Sequence, residues 1–542
     1  MGRTVFATDH KPRRRLIAEP ALFYAILVLN CIPVLVNKFF LTLDGPSHLY
    51  NASIIRELVV GNSQLLRAFY EFNPVLTPNW TSHFLLAILG FVFSGWFAEK
   101  IFILANLILL PLAFRYAVLS VSPGNKTLSF LIFPFCYTFL FQCGFFNFHL
   151  AFILMFFIAG WWYRRRNSPT PANVIGLAVL LALSFFSHAV VFAVTGLLLF
   201  LLMLAAGRGQ GASFRAIGSG ILKRTAILLL AAVPVLILMA VFLSDAPSGF
   251  PTTPLTRADM SLWLLQVKPL ILFNTDKEWK FTVLFNIIFL SIIVYAVLGR
   301  IRQFRAARAG GRSMRDTLAA SLKSSDMVLL LSAVVLCLYY VVPYNSGAGV
   351  MSDRLVVIFF MTLILWLALQ ELPKWPRIAA TGAVLILNFT LMAVHFPPFS
   401  NGSRLAGEFE QASGYIREES VVLPVNWSST WILGHVSGYL GSKKPVVLLD
   451  NYEALTAWFP LTWKPKHFPK VTFGDRSVIA NTWWYGREGT GPVRAIDHVV
   501  LYGQTSRLKE PEQAELRQVL DSQYRLDYRS ETHYVFVYTR KQ

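Results

Sequence analysis

The segment LTLDGPSHLY, residues 41–50, contains residues whose types and spacing suggest chemistry. Asp44 comes directly after a long apolar run, and His48 follows it four residues later. A carboxylate at the mouth of a membrane cavity is costly unless it has a partner or a function. Such a group can accept a proton from a hydroxyl or an amide, or hold a divalent cation together with His48. The alternative is that Asp44 only caps a helix or lies in a solvated turn.

Two cations lie where they could neutralise and orient a phosphate group. Arg354 is in PYNSGAGVMSDRL, where the glycines would let the backbone approach a phosphate closely. Lys268 is in LLQVKPLILF, within an apolar stretch. Each has a structural alternative, because Arg354 could pair with the neighbouring Asp353 and Lys268 could extend to the membrane interface.

Three histidines at the ends of apolar runs are further candidates for a metal or phosphate site. His188 is in LSFFSHAVVF at a predicted turn, His83 follows the segment 41–79, and His149 is in GFFNFHL. Convergent imidazoles would bind a metal or an anion, whereas each alone could simply be hydrogen-bonded at an interface. The sequence has no H-E-x-x-H, G-x-S-x-G or Walker spacing, so it does not support a metalloprotease, a serine hydrolase or a nucleotide-driven protein.

The elements that position these residues are predicted to be membrane-spanning helices. Only 14% of the 542 residues are charged and 55% are hydrophobic, which excludes a soluble globular protein. Apolar runs long enough to cross a bilayer, about 17–25 residues, recur through residues 1–395. We predict spans near 21–40, 80–97, 98–118, 145–163, 173–188, 189–206, 225–243, 281–299, 327–343, 355–371 and 378–395. The apolar segment 128–141 gives 11 crossings as a re-entrant or surface segment and allows 13 if a further helix exists.

The net charge of +20 indicates how these helices are oriented. Alternate loops, together with the N-terminus, contain 21 basic and 5 acidic residues, and loops rich in Lys and Arg face the cytoplasm. We therefore predict a multi-pass plasma (inner) membrane protein with a cytoplasmic N-terminus and an outward loop at 41–79. Because topology accounts for the charge, we predict no nucleic-acid partner.

Residues 396–542 are predicted to form a separate extracytoplasmic α/β domain behind the transmembrane domain, residues 1–395. SRLAGEFEQASGYIREE has the spacing of an amphipathic helix, and SVVLPV, KPVVLL, DHVVLYG and HYVFVYT have the composition of strands. Its tryptophans either pack in the core and at the membrane or form a platform for sugars or lipid heads.

This layout resembles the GT-C superfamily of polytopic membrane glycosyltransferases. The similarity lies in the acidic residue that opens the first outward loop, here Asp44 in DGPSH, in the dense apolar crossings, and in the C-terminal outward α/β domain. Members of that superfamily transfer a sugar from a polyprenyl-phosphate carrier on the non-cytoplasmic face. The resemblance implies that Asp44 is the catalytic base or a metal ligand.

The favoured hypothesis is therefore a cell-envelope glycosyltransferase with a polyprenyl-phosphate-linked sugar donor and a glycan, lipid or protein acceptor. Asp44 is its catalytic residue, and the substrate is bound by His48, His188, Lys268 and Arg354. A divalent cation such as Mg²⁺ or Mn²⁺, if one takes part, is held by Asp44 and His48. The alternative is a transporter or flippase of lipid-linked sugars, which would need charges or broken helices near the bilayer midplane and usually an internal repeat.

Overall fold

The protein is an integral membrane protein in which apolar helices are followed by a β-containing C-terminal part. The computed structural model describes residues 18–167, 169–205, 214–244, 255–311, 313–314, 317, 323–344, 346, 350–456, 458–464, 469–473 and 489–542. Within these ranges, eight helices are long and apolar enough to cross a membrane. The predicted class, an α-helical polytopic membrane protein with a C-terminal α/β domain, is confirmed.

The α-helices of the described residues are α1 (Ala18–Val36), α2 (Gly45–Val59), α3 (Gln64–Phe69), α4 (Thr81–Leu89), α5 (Trp96–Val121), α6 (Phe139–Gln142), α7 (Phe146–Arg165), α8 (Pro171–Ser187), α9 (Ala189–Ala205), α10 (Phe214–Ser244), α11 (Arg257–Leu265), α12 (Thr275–Ala309), α13 (Ser324–Val341), α14 (Met351–Ala368), α15 (Lys374–Ser413), α16 (Gly438–Gly441) and α17 (Ala514–Gln523). Helix α14 is the most central of the long helices, with 89% of its apolar window buried, whereas α10 has only 22% buried and presents its apolar surface outward. An apolar surface of that kind is expected where a helix faces lipid.

Segments predicted to face the cytoplasm contact one another, directly or through α5, at one end of the helix bundle, which we call the basic end. Arg115, near the end of α5, forms two hydrogen bonds of 2.8 and 3.0 Å with the Glu19 carboxylate at the start of α1. Lys323, just before α13, pairs with Glu371, just after α14, at 2.8 Å. The loops at the opposite end of the bundle pack against the C-terminal part of the chain. A cavity lies between them, and we therefore call this the cavity end.

Residues 126–142 run through the bundle from the basic end to the cavity end. The Asn125 side chain donates to a backbone oxygen after α14 at 3.0 Å, and the Gln142 side chain donates to the backbone oxygen of Leu41 at 2.7 Å. Between them lie the 3₁₀ helix Lys126–Cys136, whose residues 128–136 are all buried, and α6. Backbone that is not α-helical is tolerated at membrane depth where protein buries it. The segment 128–141 is thus a buried, irregular passage through the bundle.

The prediction of a single membrane span over residues 80–97 is wrong. The structure has the nine-residue helix α4 there, followed by a turn, and α5 begins only at Trp96. A nine-residue helix is about 14 Å long, about half the thickness of the hydrocarbon core. Hydropathy alone did not separate this short helix from the long helix that follows it.

The strands are β1 (Tyr70–Phe72), β2 (Ser420–Trp427), β3 (Val446–Leu448), β4 (Leu461–Trp463), β5 (Lys470–Thr472), β6 (Val493–Ala495), β7 (His498–Gly503), β8 (Tyr524–Arg529) and β9 (Val535–Arg540). The main sheet has the order β3-β2-β7-β9-β8, in which β3, β2 and β7 are parallel and β9 and β8 are antiparallel to their neighbours. Strand β2, SVVLPVNW, is buried except at Asn426, as expected for the middle strand of a parallel group.

Two features join the C-terminal part of the chain to the helix bundle. Helix α15 runs without a break from Lys374 to Ser413 and so passes through residues 395 and 396. Strand β1, in the segment 41–79, pairs antiparallel with β4. The first loop and the C-terminal sheet region therefore lie together at the cavity end.

Candidate active site

The turn between α1 and α2 holds Asp44 in a tightly packed position. Asp44 is the residue before α2, yet its side chain makes no hydrogen bond to the start of that helix. Its backbone N–H donates to the carbonyl of Cys143 at 3.1 Å. Gly144 has φ +84°, and a Cβ atom there would lie 2.8 Å from the Asp44 nitrogen. Glycine is therefore required at residue 144, and the Asp44 carboxylate is not used as a helix cap.

A cavity of about 210 Å³ lies at the cavity end, between the helix bundle and the C-terminal part of the chain. Four of the five site residues predicted from the sequence line it: Asp44, His48, His188 and Arg354. The other lining residues are Asn79, Phe145, Phe146, Asn147, Phe148, Tyr452, Thr456, Trp458 and Phe459. The wall is thus largely aromatic with a few polar groups, which is typical of ligand-binding sites.

The Asp44 carboxylate faces two aromatic side chains of the C-terminal part. Tyr452 donates a hydrogen bond to it, and Nε2 of His435 lies 3.6 Å from Asp44 Oδ1. Asp44 is only 7% exposed, and this burial raises the pKa of its carboxyl to about 7, although the nearby His48 opposes the shift. Burial lowers the pKa of His435 to about 4, so its ring is neutral at pH 7. Asp44 can therefore exchange a proton near neutral pH.

His48, His83 and Glu453 form a buried cluster beside Asp44. Glu453 Oε1 lies 2.8 Å from His48 Nδ1, and its Oε2 lies 2.7 Å from His83 Nε2. The second ring nitrogen of His48 lies 3.0 Å from the carbonyl oxygen of Gly144. Two acceptors facing one ring favour two N–H donors, so these contacts stabilise the imidazolium form of His48.

The charges of this cluster set the directions of the pKa shifts. Burial alone would lower the pKa of His48, but Glu453 and Asp44 more than offset it, and the pKa of His48 is raised. Burial likewise opposes ionisation of Glu453, yet the two rings hold the pKa of its carboxyl far below the usual range. Burial lowers the pKa of His83, and the charge of the neighbouring His48 lowers it further. One negative and one positive charge are therefore paired inside the protein.

The same three residues are the group of metal-ligating side chains that stands out in the described part of the chain. One ligand atom of each lies within 4.8 Å of the others, and all three residues are buried. Two imidazole nitrogens and one carboxylate oxygen suit Zn²⁺ better than Mg²⁺ or Mn²⁺, which prefer oxygen ligands. His48 belongs to this group, whereas Asp44, the other ligand expected from the sequence, does not.

Arg354 and His188 line the same cavity as Asp44. Arg354 is 8% exposed at the start of α14, and its guanidinium lies over the Phe145 ring at 5.3 Å. His188, between α8 and α9, packs edge-on against Phe148 with ring centroids 4.9 Å apart. Nδ1 of His188 is buried and has no hydrogen-bond partner within the described ranges. A buried cation and an imidazole nitrogen can both bind an anionic group that enters the cavity.

Lys268 is outside the cavity wall but close to it. Lys268 begins the 3₁₀ helix that follows α11, and its ammonium lies over the Phe139 ring, 4.7 Å from the ring centroid. Asp353 interacts electrostatically with both Lys268 and Arg354 and accepts a hydrogen bond from Tyr344. Lys268 therefore does not line the cavity, but it shares the neighbour Asp353 with Arg354, which does.

Sequence reasoning missed four residues around Asp44: Glu99, His435, Tyr452 and Glu453. Glu99 lies in the apolar helix α5 and accepts a hydrogen bond from Tyr439 at 2.8 Å. The other three are about 400 residues from Asp44, in irregular segments of the C-terminal part. A buried acid in an apolar run was a usable signal for Glu99, but no spacing links the other three to Asp44.

Comparison with known proteins gives a relationship in fold. No protein-family model and no curated protein sequence matches the chain. The crystal structure of ArnT from Cupriavidus metallidurans in the apo state is similar over 97% of this chain and 98% of that chain, with a TM-score of 0.51 and 12% sequence identity. The structure of ArnT from that organism bound to undecaprenyl phosphate covers the same shares, with a TM-score of 0.46 and 11% identity. The chain thus has an ArnT-like fold over nearly its whole length.

Proposed function

We propose that the protein is a membrane glycosyltransferase that moves a sugar from a polyprenyl-phosphate carrier to an acceptor on the extracytoplasmic face. The observation that carries this proposal is the convergence of Asp44, His48, His188 and Arg354 on one cavity. These residues come from three separate places in the chain, namely the segment 44–48, residue 188 and residue 354, and the sequence alone predicts all four as site residues. The ArnT-like fold supports the same reaction class by analogy.

The cavity wall has the groups that each half of this reaction needs. Arg354, with the buried Nδ1 atom of His188 near it, binds the phosphate of the carrier. The Asp44 carboxylate, with a pKa of about 7, receives the proton of the acceptor group. The aromatic wall of Phe145, Phe148 and Phe459 excludes water between them.

The transfer step is a substitution at the anomeric carbon of the donor sugar. The acceptor oxygen forms a bond to that carbon while the bond from the carbon to the phosphate oxygen breaks. The phosphate leaves with the electron pair and stays on its polyprenyl chain, where Arg354 stabilises its charge. The proton of the acceptor hydroxyl passes to Asp44, so charge and atoms balance without a further reactant.

The two ends of the bundle support the proposed orientation of the protein. The basic end contains the loops rich in Lys and Arg, and such loops face the cytoplasm. The cavity end then faces outward, together with the segment 41–79 and the C-terminal domain, residues 396–542. A donor whose carrier lipid is in the outer leaflet would reach the cavity from the membrane.

The test compares Asp44→Asn with Asp521→Asn in a host from which the gene has been deleted. Asp521 is an exposed residue of α17 in the C-terminal part, so its substitution controls for the loss of one carboxylate. We expect Asp44→Asn to reduce the glycan product, measured by mass spectrometry, by about 10² to 10⁴, the usual contribution of a general base. Asp521→Asn should restore the product fully. Full activity of Asp44→Asn at normal membrane levels would exclude Asp44 as the base.

A binding experiment separates donor recognition from chemistry. We expect the purified wild-type protein and Asp44→Asn to bind undecaprenyl phosphate with similar Kd values. Arg354→Gln should weaken binding at least tenfold, because it removes the cation nearest the phosphate. Equal binding by Arg354→Gln would contradict the proposed phosphate site. Carrier movement across vesicles without any transfer would instead favour a flippase.

A further inference from the structure

A second cavity, of about 320 Å³, lies in the C-terminal part of the chain beside the main sheet. Asn426 is near the carboxyl end of β2, Asp450 follows β3, and Tyr502 is near the carboxyl end of β7. These three strands are parallel and adjacent, so their carboxyl ends meet at one edge of the sheet. We call this cavity the strand-end groove; it is lined by Pro424, Asn426, Ser428, Gly434, His435, Asp450 and Tyr502.

The topology of the sheet favours this edge as a binding site. Strand β2 is the first of the parallel group in the chain, and it lies between β3 and β7. The chain therefore moves to one side of β2 to form β3 and later to the other side to form β7. In open α/β sheets, ligands bind outside the carboxyl ends of the strands at such a reversal of direction.

The strand-end groove is next to Asp44. His435 lines the groove, and its Nε2 atom lies 3.6 Å from Asp44 Oδ1. On its other side, the His435 ring stacks on Tyr452 with centroids 4.1 Å apart, and Tyr452 lines the Asp44 cavity. The pair of rings is thus the wall that the two cavities share. A group bound in the groove is separated from Asp44 by one imidazole ring.

The polar groups of the groove are suited to hydroxyl groups. Asp450 accepts a hydrogen bond of 2.5 Å from Ser437 through one carboxylate oxygen, and burial raises its pKa to about 6. The Oδ1 atom of Asn426 accepts hydrogen bonds from the backbone and side chain of Ser428 at 2.8 and 2.6 Å. A carboxylate accepts hydrogen bonds from sugar hydroxyls, whereas an amide and a hydroxyl can both donate to them and accept from them. All seven lining residues are described, and none is Lys or Arg.

We propose that the strand-end groove binds the acceptor through a neutral, hydroxyl-rich group such as a sugar ring. The proposal rests on the proposed glycosyltransferase function, and it assigns the two substrates to different cavities. The donor phosphate lies with Arg354, and the acceptor lies in the groove, with its reactive hydroxyl reaching Asp44 past His435. Because the groove has no lining cation and has the Asp450 carboxylate, it disfavours an anionic headgroup.

The test measures sugar binding directly on the full-length protein in nanodiscs, which avoids sugar detergents. The probes are methyl α-D-glucopyranoside, methyl α-D-mannopyranoside and methyl β-D-galactopyranoside, with glucose 1-phosphate as the anionic comparison, detected by saturation-transfer NMR. We expect at least one neutral glycoside to give a signal that falls fivefold or more in Asp450→Asn and in Ser428→Tyr. Ser428 is at the partly exposed edge of the groove, so a tyrosine there blocks the space without entering the core.

Two controls make the result specific to the groove. Asp521→Asn should leave the signal unchanged, and every variant should bind undecaprenyl phosphate as the wild type does. The proposal is overturned if no neutral glycoside gives a signal, if the signal survives both groove substitutions, or if glucose 1-phosphate binds in the groove equally well. Failure of the proposed function would look different, because Asp44→Asn would then retain transfer whatever the groove binds.

Discussion

His48 Nδ1 and Glu453 Oε1 are 2.8 Å apart although the residues are separated by 405 positions in the chain. His48 belongs to α2 in the first loop, and Glu453 belongs to the C-terminal part that covers the cavity. Both side chains are buried, so this pair is not screened by solvent. The contact therefore fixes the first loop, and with it Asp44, against the C-terminal part.

We expect Glu453→Gln to destabilise the protein markedly. The substitution keeps the shape of the side chain but leaves the His48 and His83 rings without their shared anion. Removing one partner of a buried charge pair costs about 3–5 kcal/mol. The midpoint of thermal unfolding, followed by tryptophan fluorescence, should fall by several degrees. Glu512→Gln, at an exposed position, is the control, and an equal midpoint for both variants would contradict the role of the cluster.

The sequence allowed one side of the site to be predicted and not the other. Asp44, His188 and Arg354 could be found because each stands at the end of an apolar run, where a polar residue needs an explanation. Glu453 and Tyr452 lie in DNYEALTAWFP, which has no periodicity or motif. Their approach to Asp44 depends on how the C-terminal part docks on the bundle, and that is a tertiary property without a local signal.

The same limit applies to the helices. Long apolar helices such as α10 and α12 were predicted correctly because length and hydropathy decide them. The passage through residues 126–142 is apolar too, but its backbone is largely 3₁₀ and is stabilised by burial in the surrounding protein. Hydropathy counts apolar residues and does not report whether lipid or protein surrounds them, so the crossing was placed at 80–97 instead.

We expect the rate of transfer to depend on one ionisation near neutral pH. Burial raises the pKa of Asp44 to about 7, and only the ionised form accepts a proton. The value of kcat/KM should therefore rise about tenfold per pH unit up to about pH 7 and level off above it. The measurement is kcat/KM for the acceptor, at a saturating concentration of the carrier-linked sugar donor, between pH 5 and pH 8.5. A flat profile over that range would mean that Asp44 is not the base.

Gly144→Ala should disrupt the site without removing any functional group. A Cβ atom at residue 144 would lie 2.8 Å from the Asp44 nitrogen and 2.9 Å from its Cβ, and φ is +84°. The Asp44 turn must shift to relieve this contact, and a misplacement of about 1 Å can cost about 10² in rate. Gly124→Ala is the matched control, because nothing lies within 4 Å of a Cβ atom there. We expect the control to retain wild-type kcat and Gly144→Ala to lose most of it.

We expect the buried cluster of His48, His83 and Glu453 to bind Zn²⁺ in preference to Mg²⁺ and Mn²⁺. After treatment with a chelator, Zn²⁺ should raise the midpoint of thermal unfolding, whereas Mg²⁺ and Mn²⁺ should not. The reason is that His48, His83 and Glu453 offer two imidazole nitrogens and a single carboxylate. His83→Gln should abolish the effect of Zn²⁺. Stabilisation by Mg²⁺ that depends on Asp44 would support the alternative site made of Asp44 and His48.

Asp44→Asn should also stabilise the protein at neutral pH, although it slows transfer. Asp44 has a pKa of about 7 in the folded protein, above the ordinary value of 3.8, so the folded state binds its proton more tightly than the unfolded state does. The stability that this proton contributes is complete below pH 3.8 and is lost as the pH rises through about 7. The loss has an upper limit of about 4 kcal/mol, at 1.36 kcal/mol per pKa unit. Asparagine does not ionise, so the variant's higher midpoint of thermal unfolding should be absent at pH 4, grow towards pH 7 and stay constant above it.

If the difference in midpoint between the variant and the wild type is the same at pH 4 and pH 8, the Asp44 carboxylate ionises without cost. The high pKa on which its function as a base near neutral pH depends would then be wrong.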